Sequence, residues 1–377
     1  MSRPSTELSW LVLATHVPPG GGLGGVVRYT SELIAALAVR PDVRVSALTV
    51  RSSAATLAEL VGDRARVLSV PDALGPLLPG LERAGALPGL TGRPPFDVVH
   101  GVKHLLPRSA HGATRVLTVH DLLLLERPQD FPVAKRTLLP PAFRGSLRDA
   151  DLLLAVSTAT GRRLAGLLPG SGGRTAVVPL ATASTLLEAA PVPVPVLAGR
   201  RFALVVGDPG PRKNLGVVVD GWAEVRRQVP DAVLAVVGPP AWGRSELGER
   251  FARLVADGAV LALGHVPDAQ LRWCYGQAAI VLCPSLAEGF GLPAAEALDL
   301  GAPLVVSDDP ALVEVAGARA RAVLPAKDRG AWARATVEAL TDRAPRQGAP
   351  ATVRRWGDVA EETVAAVRRV RGISRTS

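Results

Sequence analysis

Two glutamates, Glu288 and Glu296, stand with seven residues between them, on either side of a Gly-Phe-Gly turn, in the string PSLAEGFGLPAAEALDLGAP, Pro284 to Pro303. An apolar run, AAIVLC (278–283), precedes the string, and a good helix former with an early proline, Pro293, follows the turn. That order reads as strand, glycine turn, helix, with Gly301 placed to stop the helix. Several unpaired backbone N–H groups at such a turn, with the dipole of the helix, suit a phosphate or another anion. Two carboxylates would repel that anion, so they must face something else on the same ligand, and sugar hydroxyls are the natural partners.

Other residues fit the same ligand. Arg212 and Lys213, in VGDPGPRKNL (206–215), follow a strand pattern and precede a helix pattern, where two cations can converge on a diphosphate. A lone Arg-Lys pair is more often a solvated turn, but this strand–turn–helix position favours the binding role. Gly24 and Gly25, in HVPPGGGLGGVVRY (16–29), permit close approach of backbone to a ligand, although the string lacks the Gly-Lys-Ser/Thr of a P-loop. His120 and Asp121, in TVHDL, end a strand pattern and could position a hydroxyl or move a proton. A structural histidine explains that stretch equally well. The acidic RDAD (148–151) precedes its strand and reads as a strand-entry turn, so no metal site is expected.

The elements that must position these residues alternate along the chain. Strand patterns fall at 8–14, 43–50, 96–101, 115–121, 150–157 and 174–180, with helices at 26–40 and from 158. Residues 71–95 are rich in Pro and Gly and read as an irregular loop, and PVPVPVLAGRR (191–201) reads as a linker. Alternation then restarts with strands at 202–207, 232–238, 259–264, 278–283 and 302–308, separated by helices. Such a pattern builds parallel sheets covered by helices on both faces. The expectation is an α/β chain of two Rossmann-like doubly wound domains facing a cleft, residues 1–190 and 191–355, with ligands at the carboxyl ends of the strands. A final helix, 356–370, completes the chain.

Composition narrows the class. At 377 residues, 48% hydrophobic and 20% charged, the chain has the makings of two packed cores. Residues 1–190 carry 20 Lys and Arg against 14 Asp and Glu, so six of the nine net positive charges lie there. No dense basic run accompanies that surplus. Nucleic acid is therefore not an expected partner, whereas an anionic ligand or an anionic membrane surface is. Cys274 and Cys283 are too few for a disulfide framework and read as core residues in a reducing compartment. With no signal-peptide pattern and no apolar run of membrane length, a cytoplasmic protein is expected.

The E-x7-E string, extended by Pro284, Ser285, Gly301, Pro303 and Ser307, resembles the retaining glycosyltransferases of family 4, which have the GT-B fold. GHVPDAQLRWCYGQA, GPRKN, GGVVRYTSELIAAL, TVHDL and WGDVAEETVAAVRRV resemble the family's flanking patterns, so the likeness covers nearly the whole chain. It implies an acceptor-binding first domain, a nucleotide-sugar-binding second domain, and a closing helix that crosses back onto the first. It further implies that Glu288 and the amides of Gly289 to Leu292 contact the donor sugar and its phosphate, and that Glu296 holds the ribose. Arg212 and Lys213 would neutralise the diphosphate, and His120 would contact the transferred sugar. No metal or other cofactor is implied, and the acceptor would be a glycan, a lipid-linked sugar or a small molecule. GxxxPRKN with TVHDL looks most like bacterial mannosyltransferases, hence GDP-mannose, with a UDP-sugar as the alternative. Asp208, where relatives carry arginine or a hydroxyl residue, and VVPLATAST, which lacks the usual Gly-Val/Asp turn, depart from the pattern. Those departures keep open a non-catalytic nucleotide-sugar binder. A nucleotide-sugar 2-epimerase of the same fold lacks the E-x7-E pattern.

Overall fold

The computed structural model describes residues 7–20, 24–84, 86, 96–108, 110, 112–208, 210–238, 248–342 and 348–372. The chain divides into two compact units, Met1–Leu180 with Arg355–Ser377, and Ala181–Arg354.

In the first unit β1 (Leu8–Leu13) leads to α1 (Gly25–Ala38), and β2 (Val43–Val50) to α2 (Arg51–Val61). Then come β3 (Arg66–Val70), α3 (Leu78–Ala84), β4 (Val98–Gly101), β5 (Thr114–Val119) and the short α4 (Leu123–Glu126). The long α5 (Val133–Asp149) precedes β6 (Leu152–Ala155), α6 (Thr158–Leu167) and β7 (Thr175–Val177). Among the described residues these strands form one parallel sheet in the order β3-β2-β1-β4-β5-β6-β7. Its central strands are buried on both faces, which is why VVHG and LLLA read as continuous apolar runs.

The second unit opens with α7 (Ser184–Glu188), then β8 (Phe202–Val206), α8 (Leu215–Gln228) and β9 (Val233–Val237). Next are α9 (Gly248–Ala256), β10 (Val260–Gly264), α10 (Asp268–Gln277) and β11 (Ile280–Cys283). The unit closes with α11 (Leu292–Asp299), β12 (Leu304–Ser307), α12 (Pro310–Ala316), β13 (Ala322–Leu324) and α13 (Arg329–Thr341). The strands make a second parallel sheet, ordered β10-β9-β8-β11-β12-β13. Two apolar layers sandwich it, one around Tyr275 and Phe202, the other around Trp222 and Trp332.

Three sequence expectations need correction. The boundary falls after Leu180, not after Ala190, because Ala183, Leu186, Val194 and Leu197 are buried in the second unit's core and Val192 N bonds Ala269 O. The proline-rich stretch is thus packed chain instead of a free linker. Part of the expected 71–95 loop is ordered as α3 and the 3-10 turn Asp72–Leu77, while 85 and 87–95 lie outside the described residues. Finally, RDAD ends α5 as well as entering β6. Asp149 pairs with Arg83, and Asp151 accepts from the Arg115 backbone at 2.8 Å and from its guanidinium.

The closing helix α14 (Trp356–Val370) buries Trp356, Val359, Val364 and Val367. It lies with α1 in the first unit, where Trp356 meets the Tyr29 ring edge-on at 5.6 Å. Arg371 then donates to Asp97 O at 2.6 Å, and Arg368 pairs with Asp42 at 2.9 Å. No helix among the described residues is long and apolar enough to cross a membrane.

Candidate active site

In the second sheet the strand order reverses between neighbouring β8 and β11, and a crevice forms where the loops leaving those strands diverge. After β8 the chain passes Gly207, at φ 137°, and makes a 3-10 turn over Pro211–Lys213. Asn214 then adopts a left-handed conformation, φ 53°, that redirects the chain into α8. A non-glycine residue tolerates that region when its side chain has a fixed job. Here Asn214 Nδ2 donates to Pro284 O at 3.0 Å and Ala326 O at 2.7 Å, tying three strand-end loops together. Leu286 N donates to Arg212 O at 2.8 Å, and Ser307 Oγ to Ser285 O at 2.6 Å. Asn214 and Ser307 are positioning residues of this network. The sequence offered both inside quoted strings without marking their roles.

The crevice brings Arg212, Lys213 and Glu288 into direct contact. Lys213 Nζ donates to Glu288 Oε1 at 2.6 Å, Arg212 Nη1 to Oε2 at 3.2 Å, and Ser285 Oγ to Oε1 at 2.7 Å. Burial by itself would raise the Glu288 carboxyl. The charges of Lys213 and Arg212, with the bonds from Lys213 and Ser285, outweigh it and hold the group down at about 2. Glu288 is therefore an anion at neutral pH that fixes two cations in place. Asp208, the departure from the family pattern, is turned onto its own loop: Oδ1 accepts from Gly210 N at 2.9 Å, and Oδ2 lies 3.7 Å from Arg212. Its charge is thereby partly satisfied.

Gly291 caps α11 at φ 98°, and a Cβ there would sit 2.5 Å from Leu312 Cδ2, so only glycine fits. Gly289, Phe290 and Leu292 complete the turn, whose N–H groups lead into the positive end of α11. Glu296, on α11, is buried and accepts from the Tyr275 hydroxyl at 2.7 Å. Cys283 ends β11 between these groups. Burial pushes its thiol up to about 12, with Lys213 opposing and the two glutamates adding to the effect, so it is an inert core group.

The remaining expected residues belong to the first unit. Gly24 precedes α1 in extended conformation with open space where a Cβ would be, and Gly25 begins the helix. Gly21, Gly22 and Leu23 lie outside the described residues. His120 Nε2 donates to Val102 O at 3.0 Å, and its ring meets Tyr29 edge-on at 4.6 Å. Burial lowers its pKa despite the nearby Asp121, whose Oδ1 accepts from Leu123 N instead of the imidazole. The Tyr29 hydroxyl shares Thr118 Oγ1 with His100 Nε2, both at 2.8 Å, so the histidine rests on a hydrogen-bonded column within the sheet. Among the described residues no group of three or more His, Cys, Asp or Glu could hold a metal ion.

Two family models match the chain: a glycosyl transferase 4-like domain over residues 24–181 and glycosyl transferases group 1 over residues 199–342. The O-antigen chain mannosyltransferase B of Escherichia coli is 30% identical over 230 residues, 58% of this chain and 59% of that protein's length. Among solved structures, sucrose-phosphate synthase from Thermosynechococcus elongatus aligns at TM-score 0.66 and 20% identity, over 97% of this chain and 95% of its own. Anabaena HepE, solved with UDP and glucose, aligns at 0.65 and 18% identity over 97% of both chains. With a parallel sheet in each of its two units and both models matched in order, the chain belongs to the group 1, family 4-like glycosyltransferases of the GT-B fold.

Proposed function

We propose that the protein is a retaining, metal-independent glycosyltransferase that moves mannose from GDP-mannose to a glycan, lipid-linked or small-molecule acceptor. The observation that carries this reading is the contact of Arg212 and Lys213 with Glu288 at the strand-order reversal of the second sheet. In the reaction the bond from the sugar's anomeric carbon to the phosphate oxygen breaks as the acceptor oxygen bonds to the same carbon and face. The acceptor's proton passes to the departing phosphate. Charge builds on the diphosphate while the sugar gains oxocarbenium character. Two fixed cations, the turn amides and the start of α11 stabilise that charge without reorganising, the most effective means an enzyme has. Glu288 contacts the donor sugar, Glu296 the ribose and His120 the transferred sugar, as the family likeness implies.

Mannose is favoured because the relative matched at 30% identity is a mannosyltransferase. A UDP-sugar is the second reading, favoured by the fold neighbour solved with UDP and glucose. Contact with an anionic membrane surface would follow from a lipid-linked acceptor and the basic first half. Vesicle binding that weakens steeply between low and physiological salt supports it, and salt-indifferent binding sinks it.

The deciding experiment is thermal stabilisation of the protein by GDP, UDP and their sugars, with Glu296→Ala alongside, followed by product analysis at the anomeric carbon. A shift with GDP that weakens in the variant, and a product of retained configuration, are expected. A folded protein that responds to no nucleotide would refute the enzyme reading.

A further inference from the structure

His120 stands just past β5 with one end of its imidazole already engaged. Nε2 donates to Val102 O at 3.0 Å and burial keeps the ring neutral, so Nδ1 is left as a lone pair that can only accept. What that lone pair can reach depends on what holds the ring. A carboxylate often orients a histidine, yet Asp121 Oδ1 is engaged with Leu123 N. The side chain that meets the imidazole is Tyr29 from α1, edge-on at 4.6 Å with an interplanar angle of 87°.

Tyr29 is itself fixed twice over. It is buried, and its hydroxyl lies 2.8 Å from Thr118 Oγ1, two residues before His120 on β5. His100 Nε2 holds the same Thr118 oxygen, also at 2.8 Å. The second support is Trp356, the first residue of α14, whose indole meets the Tyr29 ring at 5.6 Å and 68°. Both ring contacts fall in the edge-to-face range, about 4.5–7 Å, in which aromatic pairs attract. Trp356 is buried, and its Nε1 has no hydrogen-bond partner among the described residues. Buried indole N–H groups ordinarily have one, and an apolar side chain would avoid the loss. Burial alone therefore leaves the choice of tryptophan unexplained, whereas a wide ring set against Tyr29 accounts for it.

We infer that Tyr29 and Trp356 are positioning residues for the transfer, holding the His120 imidazole by ring contact so that Nδ1 accepts from a hydroxyl of the transferred sugar. This rests on the reading that His120 contacts that sugar. Order passes from α14 through Trp356 and Tyr29 to a strand-end histidine, all within the first unit. The closing helix thereby has a task at the site besides burying apolar surface. Misplacing a contact group by about 1 Å can slow a reaction on the order of a hundredfold, so a loosened ring is visible in turnover.

The test joins NMR of the histidine ring nitrogens in the full chain with turnover of GDP-mannose and UDP-glucose. Both are read in wild type, Tyr29→Leu, Trp356→Leu and Trp356→Phe, each with and without His120→Ala, which also assigns the His120 signal. Hydrogen exchange in β1 and β5 checks that the first unit is folded. Wild type should show one protonated and one bare nitrogen at His120. In the two Leu variants those signals should move towards each other, kcat should fall about tenfold or more, and Trp356→Phe should restore both. In the His120→Ala background the Leu variants should cause no further loss. Unmoved His120 signals in folded Leu variants, or an equal loss without His120, overturns the inference. If the Leu variants unfold, Tyr29→Phe carries the test, since it frees the ring from Thr118 at nearly unchanged volume and should lower kcat about fivefold. The underlying reading fails separately, by His120→Ala with wild-type turnover or by absence of turnover in wild type, and the NMR signals then still decide whether Tyr29 and Trp356 hold the ring.

Discussion

Lys213 and Glu288 show how little a single charge means without its partners. Glu288 lies beside the groups proposed to hold a diphosphate, and its own charge is offset by the two cations it orients. If Lys213 stabilises departing charge, Lys213→Ala lowers kcat/KM by on the order of a hundredfold or more, measured by donor turnover in a variant of normal melting behaviour. A loss under threefold would remove Lys213 from the mechanism. Glu288 also predicts a pH dependence of folding. Its folded pKa is depressed, from 4.5 to about 2, so its stabilisation is complete above about pH 4.5 and lost as pH falls towards 2. That shift corresponds to roughly 3 kcal/mol. Urea titrations of wild type and Glu288→Gln across this window should therefore converge towards low pH. Parallel curves would contradict the pairing.

At the scale of elements, the site depends on backbone conformations as much as on side chains. The entry to α11 needs Gly291, both for its φ of 98° and for its contact with Leu312. Gly291→Ala should cost about 1–3 kcal/mol, read as a drop in urea midpoint at unchanged slope, and should weaken nucleotide stabilisation with it. Much of this was legible in sequence. GFGLP announced a glycine turn before a helix with an early proline, and AAIVLC announced the buried strand before it. Elsewhere local signals misled. Residues 71–95, dense in proline and glycine, gave no periodicity, yet α3 forms because Glu82 and Arg83 are anchored by Thr15, Leu106 and Asp149, distant in sequence. Helix α5 likewise runs through Pro140 and Pro141, held by burial of Phe143, Ser146 and Leu147. Propensity yields to tertiary contacts in both cases.

For the molecule as a whole, the last helix belongs with the first unit, packed on α1 and β6 far behind it in the chain. It buries Trp356, Val359, Val364 and Val367. At about 1.5–3 kcal/mol for each large apolar side chain, that is comparable with the entire stability of a domain, about 5–15 kcal/mol. Deleting residues 355–377 should therefore unfold the first unit, observed as loss of amide protection in β1, β2 and α1 by hydrogen exchange. Retained protection there would show that the first unit is stable without α14.

The sequence alone determined the fold class and the grouping of the residues proposed to hold the donor, because parallel strands buried on both faces write continuous apolar runs and a strand–turn–helix junction writes its own glycines and prolines. The E-x7-E string lies within one such junction, so its spacing already places both glutamates by the same strand end. Only tertiary structure decided the rest. Whether Asp208 opposes or supports Arg212 depends on which way its carboxylate turns, and it turns onto Gly210. The anchoring of Asn214, the clamp of Arg83 on α5 and the bond of Thr15 to Glu82 join residues far apart along the chain. Such contacts are set by how the elements stack in space, which no local pattern encodes.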